Sequence, residues 1–252
     1  MIHFVGAGCG AADLITVRGR RLIEEADVII YAGSLVNPEL LSWKKEDCAV
    51  FNSAEMTLEQ VLEQMAKAHR AGKSTVRLHT GDPSLYGAVR EQMDLLDEAG
   101  IEYDCCPGVS SLCGAAAALK MEYTLPDVAQ SVVITRAAGR TPVPERESIR
   151  SFAEHRTTMV LFLSAGLLEK AAAELMSGGY DADTPAAIVY KASWPDEKTV
   201  ICTVATMAEC AREHQIRKTA LIIVGDAVAQ SGYRRSDLYR PGFATEFRPA
   251  KE

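Results

Sequence analysis

The chain has 252 residues, 48% of them hydrophobic, and a formal net charge of −7 at pH 7. That length and apolar content support one sizeable core or two smaller ones. The negative balance excludes the broad basic face of a general nucleic-acid binder, but it leaves room for an anionic small molecule held by a few local arginines.

Residues 1 to about 125 alternate strand and helix. IHFVGA predicts a strand and TVRGRRLIEEA a helix. ADVIIYAG predicts a strand, followed by a helix over TLEQVLEQMAKAHRAG. STVRLHT predicts a strand and SLYGAVREQMDLLDEAG a helix. EYDCCPG predicts a strand and VSSLCGAAAALK a helix. Helices that stop at Gly72 and Gly100 carry the usual C-terminal signal. Strict alternation means βαβ units and a mostly parallel sheet. LPDV interrupts the pattern, which places a domain boundary near Thr124 to Val128, with domains at 1–125 and 126–252. Beyond it come a strand and a charged, proline-containing loop (QSVVITRAAGRTPVPERES), then TMVLFLS and a helix over LLEKAAAELMSGG. PAAIVYKAS and KTVICTV follow each other across WPDE, then a helix over MAECAREH and a strand in TALIIVGDAV. Consecutive strands predict a mixed sheet with a hairpin. The whole is a two-domain α/β chain, and its tail from Ser231 is polar and expected at the surface.

Seven cysteines (Cys9, Cys48, Cys105, Cys106, Cys113, Cys202 and Cys210) form no C-x-x-C. They read as reduced, mostly buried thiols, and no metal site is expected. Met1 leads straight into an apolar strand with no basic leader, and no apolar run spans a bilayer. A cytoplasmic protein without a membrane partner is expected.

GAGCGA fits the dinucleotide pattern G-x-G-x-x-A at Gly6, Gly8 and Ala11. The rest of that pattern is missing. A dinucleotide fold needs a helix opening directly after the glycines and an acid at the end of the second strand. Here ADVIIYAG ends in Tyr31, Asp27 lies at the wrong end, and the first helix cap, read as Asp13, falls late. By itself the turn reads equally well as a close-packed bend or a ligand loop. Two further turns follow strand ends. In RLHTGDPSLYG, Asp82 and Pro83 suit the cap and first residue of a helix. In CCPGVSSLCG, Ser110 or Ser111 can cap the next helix. Parallel strands share one C-terminal edge, so Gly6–Gly10, Thr80–Asp82 and Pro107–Ser111 gather there, where open α/β sheets bind ligands. No Lys or Arg lies in these turns and no Walker A motif is present, which disfavours a polyphosphate and favours a small zwitterionic or cationic cofactor.

GAGCGAADLIT, LHTGDPSLYG, PGVSS and KTALIIVGDAV, in that order, resemble the motifs of the tetrapyrrole methylases, S-adenosylmethionine-dependent enzymes of the class III methyltransferase fold. YAGSLVNPELL resembles the subgroup that methylates C11 of precorrin-4 or its cobalt form in cobalamin biosynthesis. The resemblance implies two α/β domains with the cofactor S-adenosylmethionine folded between them, a tetrapyrrole substrate in a trough, and a homodimer. It implies cofactor contacts at Cys9, Thr80, Gly81, Asp82, Leu85, Ser110, Ser111, Leu163, Ala192 and Ala220. The first loop departs from the family's GPGDP: Cys9 replaces a proline, Ala11 an aspartate and Ala12 a second proline. Methyl transfer to an electron-rich ring carbon asks mainly for alignment and exclusion of water, so Asp82 is given a positional rather than a proton-moving role. Substrate carboxylates suit Arg136, Arg140 and Lys191, with Tyr31, Ser34 and Asn37 as polar contacts. Among the histidines only His79 adjoins a turn of interest, and it reads as structural. Trp194, after IVYKAS, is a candidate for the trough. The rival readings are a methylase of another precorrin position and a non-catalytic tetrapyrrole carrier.

Overall fold

A computed structural model describes residues 1–250; the Ser34 side chain, one of the expected substrate contacts, lies outside the described residues. In chain order the regular elements are β1 (Ile2–Gly6), α1 (Val17–Glu25), β2 (Val28–Tyr31), β3 (Ala49–Asn52), α2 (Leu58–Arg70), β4 (Thr75–His79), α3 (Arg90–Glu98), β5 (Tyr103–Cys106), α4 (Ser111–Leu119), β6 (Val132–Arg136), α5 (Ile149–Ala153), β7 (Thr158–Phe162), α6 (Leu168–Gly178), β8 (Pro185–Tyr190), β9 (Lys198–Thr203), α7 (Met207–Glu213) and β10 (Ala220–Val224). The chain divides into two compact units. One holds Met1–Ala115 together with Lys191–Glu197, the other Ala116–Tyr190 with Lys198–Glu252. No helix among the described residues is long and apolar enough to cross a membrane.

The first unit is built on a five-stranded, wholly parallel sheet in the order β3-β2-β4-β1-β5. Period-two alternation sorts its side chains onto two cores. Val5, Ile29, Val76 and Leu78 join Ile23 of α1 on one face. Ile2, Phe4, Val28 and Ile30 join Met65 of α2 and Leu96 of α3 on the other. The second unit is a mixed sheet in the order β6-β7-β10-β8-β9. Only β6 and β7 run parallel, and β8 and β9 form the expected hairpin.

Four local features differ from the sequence reading. The strand β3 was not anticipated: its four residues lie at the sheet edge and are exposed or half-buried, so no alternation marks them. The helix expected from Ser84 begins only at Arg90. Tyr86 and Ala88 hold φ of 57° and 49°, which no helix tolerates. Asp13 does not cap α1; Thr16 does, its Oγ1 accepting from Gly19 N at 3.0 Å. The cysteines are also less buried than expected, with Cys105 and Cys113 exposed.

The alternation that buries Val76 and Leu78 puts Arg77 and His79 on the opposite face. Arg77 donates to Gln92 Oε1 at 3.0 Å and to Ile30 O at 3.2 Å. His79 stacks on Phe4, and its Nε2 is buried with no hydrogen-bond partner among the described residues. Burial, and secondarily the charge of Arg77, pushes the His79 imidazole down from 6.5 to about 3. Between those two values the unfolded chain binds a proton at His79 and the folded chain does not. Stability therefore falls as pH drops through that window. In urea unfolding, wild type is expected to lose more stability than His79→Phe between pH 7 and pH 4.5. Parallel losses would show that His79 is protonated in the fold.

Candidate functional site

All strands of the first sheet are parallel, so their C-termini share an edge, and the turns after β1, β4 and β5 meet there. The closest approach is made by backbone. Gly8 and Gly81 form a two-way bridge: Gly8 N donates to Gly81 O at 3.3 Å and Gly81 N to Gly8 O at 2.8 Å. Ala7 N donates to His79 O at 2.7 Å. A Cβ placed on Gly6 would stand 2.5 Å from Gly108 Cα and 2.6 Å from Gly81 O. Gly81 itself holds φ of +64°, which a side chain rarely adopts.

Asp82 ties two of these turns together. Its Oδ1 accepts from Ser84 N at 2.8 Å and from Ser84 Oγ at 2.5 Å, and its Oδ2 accepts from Gly108 N at 2.9 Å. The Asp82 carboxylate therefore closes an Asx-type turn instead of capping a helix. Burial would by itself raise its pKa; the three hydrogen bonds outweigh that and hold it below the usual aspartate value. It is anionic at neutral pH.

The other expected residues sort by unit. In the first, Cys9 is buried and Ala192 is 6% exposed. Thr80 Oγ1 is enclosed without a hydrogen-bond partner among the described residues. Leu85 N donates to Asp82 O, closing the same turn. Ser110 is buried and caps α4, its Oγ accepting from Leu112 N at 3.3 Å; Ser111 opens that helix. Tyr31 ends β2 at the same edge. Asn37 Nδ2 donates to Gly10 O at 2.9 Å, so this side chain holds the first turn. Lys191 Nζ lies 2.6 Å from Asp196 Oδ2 and 5.6 Å from the centroid of the Trp194 ring.

In the second unit the register pairs Ile222 with Leu161, which sets Ala220 level with Leu163. Arg136 pairs with Phe162, and Tyr190 with Ala220, so all lie at one edge of that sheet. Leu163 is 68% exposed and holds φ of +52°, a strained state for a bulky residue. The Arg136 guanidinium donates to Thr141 O at 3.2 Å and Pro142 O at 2.7 Å, folding the loop beside it. Arg140 is exposed.

Sequence reasoning missed Gly108 N, Ser84, Ser193 and the tight seat of Trp194 on Gly10. Only the Asp-x-Ser spacing of Asp82 and Ser84 carried a local signal. A substitution tests the backbone contact. Gly6→Ala is expected to cost about 3 kcal/mol in urea unfolding, the upper part of the usual overpacking range, because every obstructing atom is backbone. Gly72→Ala has nothing within 4 Å of its Cβ and should cost only the left-handed penalty, about 1 kcal/mol. Equal costs would contradict the close approach.

Comparison with known proteins bears on what this edge is for. The family model of Tetrapyrrole (Corrin/Porphyrin) Methylases matches residues 1–208. The cobalt-precorrin-4 C(11)-methyltransferase of Methanocaldococcus jannaschii is 52% identical over 247 residues, covering 98% of this chain and 95% of that protein. The X-ray structure of a cobalamin biosynthetic enzyme, cobalt precorrin-4 methyltransferase, superposes with a TM-score of 0.88 at 46% identity, covering 90% of this chain and 95% of that one. Uroporphyrin-III C-methyl transferase from Thermus thermophilus, complexed with S-adenyl homocysteine, superposes with a TM-score of 0.77 at 27% identity, covering 91% and 99%. The family model spans most of the chain and the relatives nearly all of it, so the chain belongs to the tetrapyrrole methylases.

Proposed function

We propose that this chain transfers a methyl group from S-adenosylmethionine to C11 of precorrin-4 or its cobalt form, in cobalamin biosynthesis. The observation that carries the reading is the meeting of three glycine turns at one sheet edge, tied by an anionic Asp82. Near-full-length identity to a C11-methyltransferase supports the choice of substrate.

The residues at that edge fit the methyl donor. Thr80 Oγ1 is a buried polar atom with an unused hydrogen-bond capacity. The turns carry no Lys or Arg to oppose a cation, and Asp82 contributes a negative charge. The proposed cofactor contacts in the first unit are Cys9, Thr80, Gly81, Asp82, Leu85, Ser110, Ser111 and Ala192. Tyr31, Asn37, Arg136 and Lys191 are proposed to face the substrate. A homodimer in the cytoplasm completes the proposal.

When bound, S-adenosylmethionine supplies a methyl on a sulfonium, an electrophile whose leaving group departs as a neutral thioether. The acceptor carbon is already electron-rich, so the chain's task is alignment and shielding from water. Asp82 holds the turns at 80–82 and 107–108 in register and moves no proton. Thr80 Oγ1 offers a polar contact to a donor's head group. The positive charge that arrives with the methyl leaves the ring system as a proton, for which water is a sufficient acceptor.

Asp82→Asn separates the roles. It keeps the side chain's size but sets an amide against Gly108 N–H or Ser84, so one tie is lost. Calorimetry with S-adenosylhomocysteine should show an affinity about ten-fold lower, the loss of roughly one charge-assisted hydrogen bond. Mass spectrometry of wild type incubated with S-adenosylmethionine and metal-free or cobalt-loaded precorrin-4 should show a gain of one methyl on at least one of them. Cofactor binding without any methyl gain would contradict the proposed acceptor; no cofactor binding would favour a tetrapyrrole carrier.

A further inference from the structure

The first turn carries no proline between Gly6 and Ala12 to stiffen it. Its shape is nonetheless fixed, and the restraint comes from a segment about 180 residues away that belongs to the same unit. Ala11 N donates to Ser193 Oγ at 3.0 Å, and Cys9 Sγ lies 3.4 Å from the same oxygen. One hydroxyl therefore grips the turn on both sides of Gly10. Gly10 in turn is pressed against this segment: a Cβ there would stand 2.6 Å from Trp194 Nε1 and 2.7 Å from Ala192 O. On the far side, Asn37 Nδ2 holds Gly10 O.

The segment 191–197 is itself braced. Ser193 N donates to Glu197 Oε2 at 2.6 Å, and Trp194 N donates to Lys191 O at 3.0 Å. Lys191 and Ser193 both hold positive φ, 48° and 66°, a cost that a loop with no role would shed by carrying glycine. A serine kept at φ of +66° points to a use for its hydroxyl.

We propose that Ser193 is a positioning residue. Its hydroxyl fixes Cys9–Gly10–Ala11 in the conformation that receives the methyl donor. The inference rests on the cofactor reading above, and its test is arranged so that the two fail separately.

The test compares Ser193→Ala and Ser193→Gly with wild type. Glycine relieves the positive φ and removes the hydroxyl; alanine keeps the strain and removes the hydroxyl. Amide hydrogen exchange on the ligand-free protein is expected to accelerate at Ala11 at least ten-fold in both variants, with Val76 and Leu78 in β4 unchanged. The dissociation constant for S-adenosylhomocysteine is expected to rise at least three-fold in both, as is KM for S-adenosylmethionine, with kcat held within two-fold. If Ser193 merely shapes its own loop, Ser193→Gly will match wild type in exchange and affinity, and the proposal is overturned. Faster exchange at Ala11 with unchanged affinity also overturns it. A wild-type protein that fails to bind S-adenosylhomocysteine removes the cofactor reading and this proposal together, whereas wild-type binding with unaffected variants removes this proposal alone.

Discussion

Three stretches of backbone, at Gly6, Gly81 and Gly108, approach so closely that a single methyl group on Gly6 would collide with main-chain atoms of the other two. Main chain cannot swing aside as a side-chain tip can, so this contact admits glycine and little else. The constraint has a structural origin. In a wholly parallel sheet the turns after β1, β4 and β5 leave from adjacent strand ends. They must diverge into their connections or be held together. Here the Gly8–Gly81 bridge and the Asp82–Gly108 hydrogen bond hold them.

Closeness of backbone also sets the chemistry available. Turns packed without side chains leave N–H and C=O groups near a ligand and present few charges. The one charge supplied, Asp82, is spent on three hydrogen bonds and stays ionised because of them. A carboxylate so engaged is a poor general base and a good brace. That agrees with a reaction in which the acceptor carbon and the leaving group already carry the reactivity, and in which geometry is what the protein contributes.

Much of the architecture was legible in the sequence because it rests on local periodicity. The alternation of strand and helix, with Gly72 and Gly100 as stops, led to the parallel sheet. The adjacency of IVYKAS and KTVICTV led to the hairpin of β8 and β9. The gathering of the three turns followed from parallel topology alone. What stayed hidden depends on contacts remote in sequence or on backbone states without a local mark. The edge strand β3 has no buried face to betray it. The late start of α3 comes from left-handed Tyr86 and Ala88, neither of which announces that conformation. The Asn37 Nδ2 contact with Gly10 O joins the first turn to a residue that no local pattern links to it. The Ser193 hydroxyl meets Ala11 across 182 positions.

The meeting of the turns at one ligand-receiving rim is tested most directly by titrating S-adenosylhomocysteine into isotopically labelled protein and following backbone amides by NMR. The account predicts that amides at 8–11, 80–82 and 108–111 shift together along one saturation curve. Saturable shifts confined to other parts of the chain, with these three groups unmoved, would contradict it.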